Sequence, residues 1–206
     1  MKKIMFNDKY GLTQAVLEGR KTMTRRTIPQ GMIEKYYEWH ADVSSIGNIG
    51  MPLHIQTLQE AMILKAKYEV GDVIAIAQAY KSIFEKSLNY ALPRYHWLDD
   101  HIDEKGFANK MFVKAGEMPH HIKITDIKVE RLQDISDEDC LKEGIKEGEF
   151  MNTWDRYYFD EWGDVPNHIT FKTAREAFAA LIDKVSGKGT WEKNPFVFAY
   201  EFDLID

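Results

Sequence analysis

The sequence predicts an α+β fold: a small, mostly antiparallel sheet or barrel with flanking helices and long insertions. Three observations predict it. Helical and strand patterns are mixed without the strand–helix–strand rhythm of a parallel sheet. Two segments, His121 to Leu132 and Phe196 to Ile205, alternate apolar and polar residues over strand-like lengths. A helix between them opens on Thr173-x-x-Glu176, the reciprocal capping box.

Lys2 to Phe6 forms a short first strand, and Asn7 or Asp8 caps a helix running to about Glu18, with Leu12, Ala15 and Val16 on one face. Gly19 stands where a left-handed residue ends a helix, and Arg20 and Lys21 follow where the dipole favours cations. Thr22 to Ile28 is rich in strand formers and closes at Pro29. Met32 to His40 and Thr57 to Ala66 carry weaker helical patterns around a loop at Ser44 to Pro52. Tyr68 to Asp72 is a turn, Val73 to Tyr80 a strand, and residues 81–109 an aromatic surface excursion. Met111 to Lys114 reads as a short strand. In His121 to Leu132 the apolar phase is carried by Ile122 and Ile124, is interrupted at Asp126, and resumes shifted at Ile127 and Val129, which predicts a bulge. Ser136 caps a helix with an acidic first turn, ended by Gly144. Residues 146–170 read as a loop, and the helix after Thr173 carries an apolar stripe of Phe178, Leu181, Ile182 and Val185, ended by Gly187.

With 206 residues, 44% of them apolar and 29% charged, the chain suits one domain with insertions at about 30–67, 81–109 and 146–170. No apolar run approaches the roughly 18 residues that span a bilayer, so no membrane partner is expected. Met1 to Asp8 lacks the apolar core of a secretory signal, and Cys140 is the only cysteine, so no intrachain disulfide is possible; a cytoplasmic protein is expected. The net charge of −6 disfavours a surface coated in non-specific nucleic-acid-binding charge. Residues 1–30 nevertheless hold seven basic side chains against Asp8 and Glu18, a local +5. A cationic site on an acidic body suits a small anionic ligand or a short nucleic-acid contact; a solvated basic face is the plain alternative.

The site-like segment is Gly19-Arg20-Lys21-Thr22-Met23-Thr24-Arg25-Arg26. Other candidates point elsewhere. His120 and His121 are adjacent in a strand and face opposite ways, and no histidine pair has metal-ligand spacing, so no metal or other cofactor is expected. Cys140 suits packing. Trp154, Tyr157, Tyr158 and Trp162 suit core or lid packing more than base stacking.

Gly19-x-Lys21-x-x-Thr24-x-Arg26 resembles the signature of ASCH domains, relatives of the PUA fold, a compact β-barrel that handles RNA or modified nucleosides. Four segments resemble the phage- and prophage-type branch, in matching order: Leu17 to Thr22, Val70-Gly71-Asp72-Val73-Ile74, Ile127 to Ile135, and Asn194-Pro195-Phe196-Val197-Phe198. The sequence departs from the pattern in two places. Many ASCH sequences carry Glu where Thr24 stands, and the strand after Gly71-Asp72 often ends in Arg-Glu where this chain has Ala77-Gln78.

The resemblance implies, first, a PUA-like module binding RNA or a modified nucleoside through Gly19, Arg20, Lys21, Thr22, Thr24 and Arg26. A second implied activity comes from small bacterial amidohydrolases that deacetylate 4-acetylcytidine without a metal. Lys21 and Thr24 are similar to two of their catalytic residues, and Glu143 aligns with the third. A third implication is a phage or prophage accessory protein with a vestigial pocket. For hydrolysis Thr24 supplies the hydroxyl, Lys21 the base and Glu143 the leaving-group proton. Lysine, with an ordinary pKa near 10.4, serves as base only if burial or nearby cations depress it. In a regular strand Lys21 and Thr24 face opposite ways, so they converge only if Lys21 belongs to the turn after Gly19, or if a bulge intervenes.

Overall fold

The computed structural model describes residues 1–46, 57–88, 101–148, 156–161 and 167–206. In chain order these form β1 (Lys2–Ile4), α1 (Leu12–Leu17), β2 (Met23–Thr27), α2 (Gln30–Ile46), α3 (Leu58–Ile63), β3 (Val73–Ile76) and α4 (Tyr80–Leu88). There follow β4 (His121–Arg131), α5 (Asp137–Lys142), β5 (Lys146–Glu147), β6 (Tyr157–Glu161), β7 (Asn167–Phe171), α6 (Ala174–Ser186), α7 (Thr190–Lys193) and β8 (Phe196–Leu204). No helix among the described residues is long and apolar enough to cross a membrane.

The fold is mixed α and β, and its main sheet has the order β1-β3-β4-β8-β2. Only β1 and β3 are parallel; the other three pairings are antiparallel, as expected. Among the described residues the sheet is open and no closed barrel of the kind the resemblance implied is found. The three-residue β1 takes β3 as its neighbour, and Phe6 then turns inward onto Phe202, with ring centroids 5.8 Å apart. β1 and β2 are thus the two edges. The sheet curls enough for Arg26 Nη2 of β2 to donate to the Met5 carbonyl beside β1, at 2.6 Å.

The bulge in β4 falls where the alternation breaks, between Ile124 and Asp126. Its physical reason is burial: Ile122 and Ile124 before the shift and Ile127 and Val129 after it all reach the core. α6 has both halves of its capping box and buries Ala174, Ala177, Phe178, Leu181 and Ile182. Each of its large buried side chains contributes about 1.5–3 kcal/mol.

Several elements differ from expectation, each for a local reason. α1 starts at Leu12 rather than at Asn7 or Asp8, because Gly11 adopts φ 63 and the Asn7 side chain instead accepts from the Lys9 amide. α2 continues through Ser44 and Ser45 to Ile46, where a loop was expected; the rest of that loop lies outside the described residues. β3 ends at Ile76, and Tyr80 opens α4 instead of closing a strand. In the expected surface excursion, residues 81–88 are helical and His101 and Gly106 are buried; residues 89–100 lie outside the described residues. Lys110–Phe112 is a 3-10 turn rather than a strand.

The expected loop at 146–170 carries a second sheet, ordered β5-β6-β7. Phe159 makes it part of the core: it is buried, stacks on Phe171 and meets Tyr10 edge-on, with centroids 5.8 and 6.0 Å away. The helices of the 30–67 insertion also join the main core, through Ile33, Leu58 and Met62.

Candidate functional site

The site is assembled from the end of α1, the start of β2 and the end of α5. The Ala15 carbonyl accepts from the amides of both Arg20 and Lys21, at 2.9 and 3.0 Å, while Gly19 sits at φ 70. Lys21 therefore belongs to the turn and not to β2, which begins at Met23. This is the geometry under which Lys21 and Thr24 can face one space. From the other side, the Ser136 hydroxyl caps α5 and the helix ends at Glu143, followed by Gly144 at φ 104. The Thr22 amide donates to the Lys142 carbonyl at 3.0 Å and ties the two ends together.

The result is a buried ion pair. Lys21 Nζ lies 2.6 Å from Glu143 Oε2, with side-chain exposures of 2% and 6%. It also donates to the Glu143 carbonyl at 2.8 Å and the Met23 carbonyl at 2.7 Å, so all three ammonium protons have acceptors. Burial pushes Lys21 below its ordinary 10.5; Glu143 opposes this, and Arg26 and Arg25 add to it.

Arg25 is the second buried cation. Its Nη1 lies 3.2 Å from Glu143 Oε1, and its Nη2 lies 2.7 Å from Glu130 Oε1 and 2.9 Å from Asp139 Oδ2. Burial works against its charge, and Glu143, Glu130 and Asp139 outweigh burial and raise its pKa. One guanidinium thus holds carboxylates from β4, from α5 and from the residue that ends α5.

A cavity of about 260 Å³ opens above this pair. Lys21, Thr24, Arg25, Arg26 and Glu143 line its polar side. Phe178, Leu181, Ile182 and Val185 of α6 line the apolar side. Thr24 is nearly buried, yet its hydroxyl has no hydrogen-bond partner among the described residues. Arg26 stands exposed at the rim, with its guanidinium carbon 5.9 Å from the Phe6 ring centroid.

Lys21, Thr24 and Glu143 are thus brought to one cavity, with Arg26 at its edge. Gly19, Arg20 and Thr22 are not among its lining residues. Gly19 makes the turn, Arg20 pairs with Glu18 at 2.6 Å, and Thr22 is spent on main-chain bonds to Lys142 and Phe202. Sequence reasoning missed the apolar wall, reading the α6 stripe as core alone; its continuation to half-buried Val185 at the helix end was the available signal.

Ala77 and Gln78 lie away from the cavity. Ala77 belongs to a separate core cluster with Tyr80, Val113 and Met118, and the Gln78 amide approaches Met118 Sδ at 3.3 Å. That departure from the ASCH pattern leaves the walls of this cavity untouched. Cys140 is buried, and burial pushes its thiol up to about 12. Elsewhere His101, Glu104 and Glu117 bring ligand-type atoms within 4.8 Å of one another. Lys114 balances that cluster, lying 3.0 Å from Glu104 and 3.3 Å from Glu117.

Gly144 is required twice over. A Cβ there would stand 3.2 Å from Leu12 Cδ2 and 3.6 Å from Lys21 Cδ, at a φ that L residues rarely adopt. Gly144→Ala is expected to cost about 1–3 kcal/mol in urea unfolding. Gly187→Ala, at φ 105 with open space around it, isolates the backbone strain. Equal losses at the two positions would remove crowding as a cause.

A scan against protein-family models, a search of curated proteins and a search of solved structures each find no match.

Proposed function

We propose that the chain is an ASCH-type amidohydrolase acting on an N-acylated, cytosine-type nucleoside. The observation that carries this reading is the buried Lys21–Glu143 pair, 2.6 Å apart, in the wall of a cavity that Thr24 shares. Five of the seven cations of residues 1–30 are matched by carboxylates: Lys2, Lys9, Arg20, Lys21 and Arg25. The local excess of positive charge is therefore largely answered within the chain, by surface pairs at Lys2, Lys9 and Arg20 and buried ones at Lys21 and Arg25. That favours a small molecule over a long polyanion, whose affinity rests on free cations.

The chemistry closes in protons. Lys21 passes a proton to Glu143 Oε2, which frees an amine lone pair; burial drives that transfer. The neutral amine takes the Thr24 hydroxyl proton as the oxygen attacks the acyl carbon. Glu143 gives its proton to the exocyclic nitrogen as the C–N bond breaks, which leaves an acyl-threonine and the free base. Water, activated by the same pair, hydrolyses the ester and restores Thr24. The apolar wall of α6 suits the acyl chain and one face of the base, and Arg26 faces the developing oxyanion.

A module that binds the nucleoside without turnover is the second reading, favoured by the full set of acceptors around Lys21. The test is release of cytidine from 4-acetylcytidine by the purified protein beside Thr24→Val, which keeps the volume and removes the hydroxyl. Release by wild type, reduced to background in the variant, is the expected result. Binding with no release by wild type would sink the hydrolase and leave the module.

A further inference from the structure

A second groove, of about 430 Å³, adjoins the Thr24 cavity. Arg26 and Thr27 line both. Its other walls come from β1, from Pro29 and Met32, from the segment after α3, and from Phe198 and Tyr200 of β8. Among the described residues no carboxylate lines it, in a chain whose net charge is −6. It is rimmed by Lys65, Lys67 and Arg26, and among the described residues none of the three pairs with a carboxylate. Lys3 also lines it, but its ammonium is committed elsewhere, to the carbonyls of Met111 and Val113.

This contrasts with the rest of the N-terminal region, where carboxylates answer nearly every cation. Lys65 and Lys67 are exposed and lie two residues apart, on the far side of Arg26 from Thr24. Lys67 Nζ sits 5.0 Å from the ring centroid of Tyr68, whose hydroxyl is fixed on the Lys3 carbonyl at 3.0 Å. The groove has a rigid aromatic floor, a cationic rim and one arginine in common with the reaction cavity. Its chemistry is that of a phosphate site, and it shares Arg26 and Thr27 with the cavity that would hold the base.

Resting on the nucleoside reading above, we infer that this groove holds a phosphate attached to the sugar of the substrate. The substrate class is then a nucleotide or a residue within a strand, rather than a free nucleoside.

The experiment compares kcat/KM for 4-acetylcytidine, its 5′-monophosphate and a trinucleotide acetylated at the middle base, in wild type and in Lys65→Glu/Lys67→Glu. At least one phosphorylated substrate is expected to be preferred, and the preference to fall about tenfold in the variant. Preference for the monophosphate assigns the groove to a phosphate monoester; preference for the trinucleotide alone assigns it to a phosphodiester. Equal kcat/KM for all three, or a preference that the variant retains, overturns the groove. Calorimetric binding of cytidine 5′-monophosphate against cytidine keeps the two readings separable if nothing is turned over. Tighter, salt-sensitive binding of the monophosphate that weakens in the variant supports the groove without the hydrolase; equal binding rejects it.

Discussion

Arg25→Ala is expected to lower stability by about 3 kcal/mol, which lowers Tm by about 6–12 °C in a chain of this length. The Arg25 side chain is 1% exposed and holds Glu130, Asp139 and Glu143 together. Its removal leaves three carboxylates facing one another around an empty volume. Removing one member of a buried charge cluster costs about 3–5 kcal/mol, because the survivors remain desolvated without compensation. The lower end applies, since Glu130 and Asp139 are each 22% exposed and can recruit water, and Glu143 keeps Lys21. Arg25→Lys is expected to recover only part of the loss, because a lysine cannot present a planar fork to three acceptors. Thermal unfolding monitored by circular dichroism decides it. A change below about 1 kcal/mol would place Arg25 among ordinary surface cations and remove it as the organiser of the site.

Lys21→Met is expected to reduce acyl release by about 10²–10⁴-fold, the range typical of a lost acid–base group. The change preserves length and apolar volume, so it removes the amine rather than the packing. It also leaves the Met23 and Glu143 carbonyls without their donor, and a stability loss of about 1–3 kcal/mol is expected. Lys21→Met combined with Glu143→Gln is expected to regain stability, because no charge is then left without its counterion on that side, and to regain no activity. Activity retained in either variant would exclude Lys21 from the chemistry. The pH dependence supplies a second readout. The reactive pair carries one proton, shared between Lys21 and Glu143, and the folded-state pKa of Lys21 is depressed, so that proton is lost to solvent as pH rises through a value below 10.5. The alkaline limb of kcat/KM should therefore fall with pH and find its midpoint below that ordinary value.

Much of the fold was legible where the signal is local. The capping box at Thr173, the Ser136 cap and the left-handed Gly19 and Gly144 each depend on residues within one turn. The bulge in β4 was legible because an extra residue flips the parity of everything after it. The second sheet was not. β6 and β7 pair across residues 162–166, and the apolar content of β6 rests on Phe159, whose partner Tyr10 lies far away in sequence. Barrel closure was not legible either: it turns on whether the edge strands β1 and β2 pair, which no single segment encodes, and among the described residues no ladder joins them.

The candidate site divides in the same way. The turn that carries Lys21 beside Thr24 was foreseeable from Gly19, but Glu143 lies 122 residues from Lys21 and entered only through the family resemblance. In sequence Arg25 is one more cation of the segment Gly19 to Arg26. Its role as a hub depends on carboxylates 105, 114 and 118 residues away, beyond the reach of any local pattern.

The open edge of the main sheet has a consequence for how the molecule yields. Where a barrel would run a ladder of main-chain bonds between its first and second strands, this fold has a seam, crossed by the Arg26 guanidinium on the Met5 carbonyl. A ladder opens only by breaking several bonds at once. A seam held by a long side chain opens by one rotamer change and the loss of one charge-assisted bond, about 1.5–3 kcal/mol at most. Arg26 and Thr27 are common to the chambers on either side. A molecule longer than either chamber can lie across both while a change of Arg26 rotamer keeps the guanidinium on it.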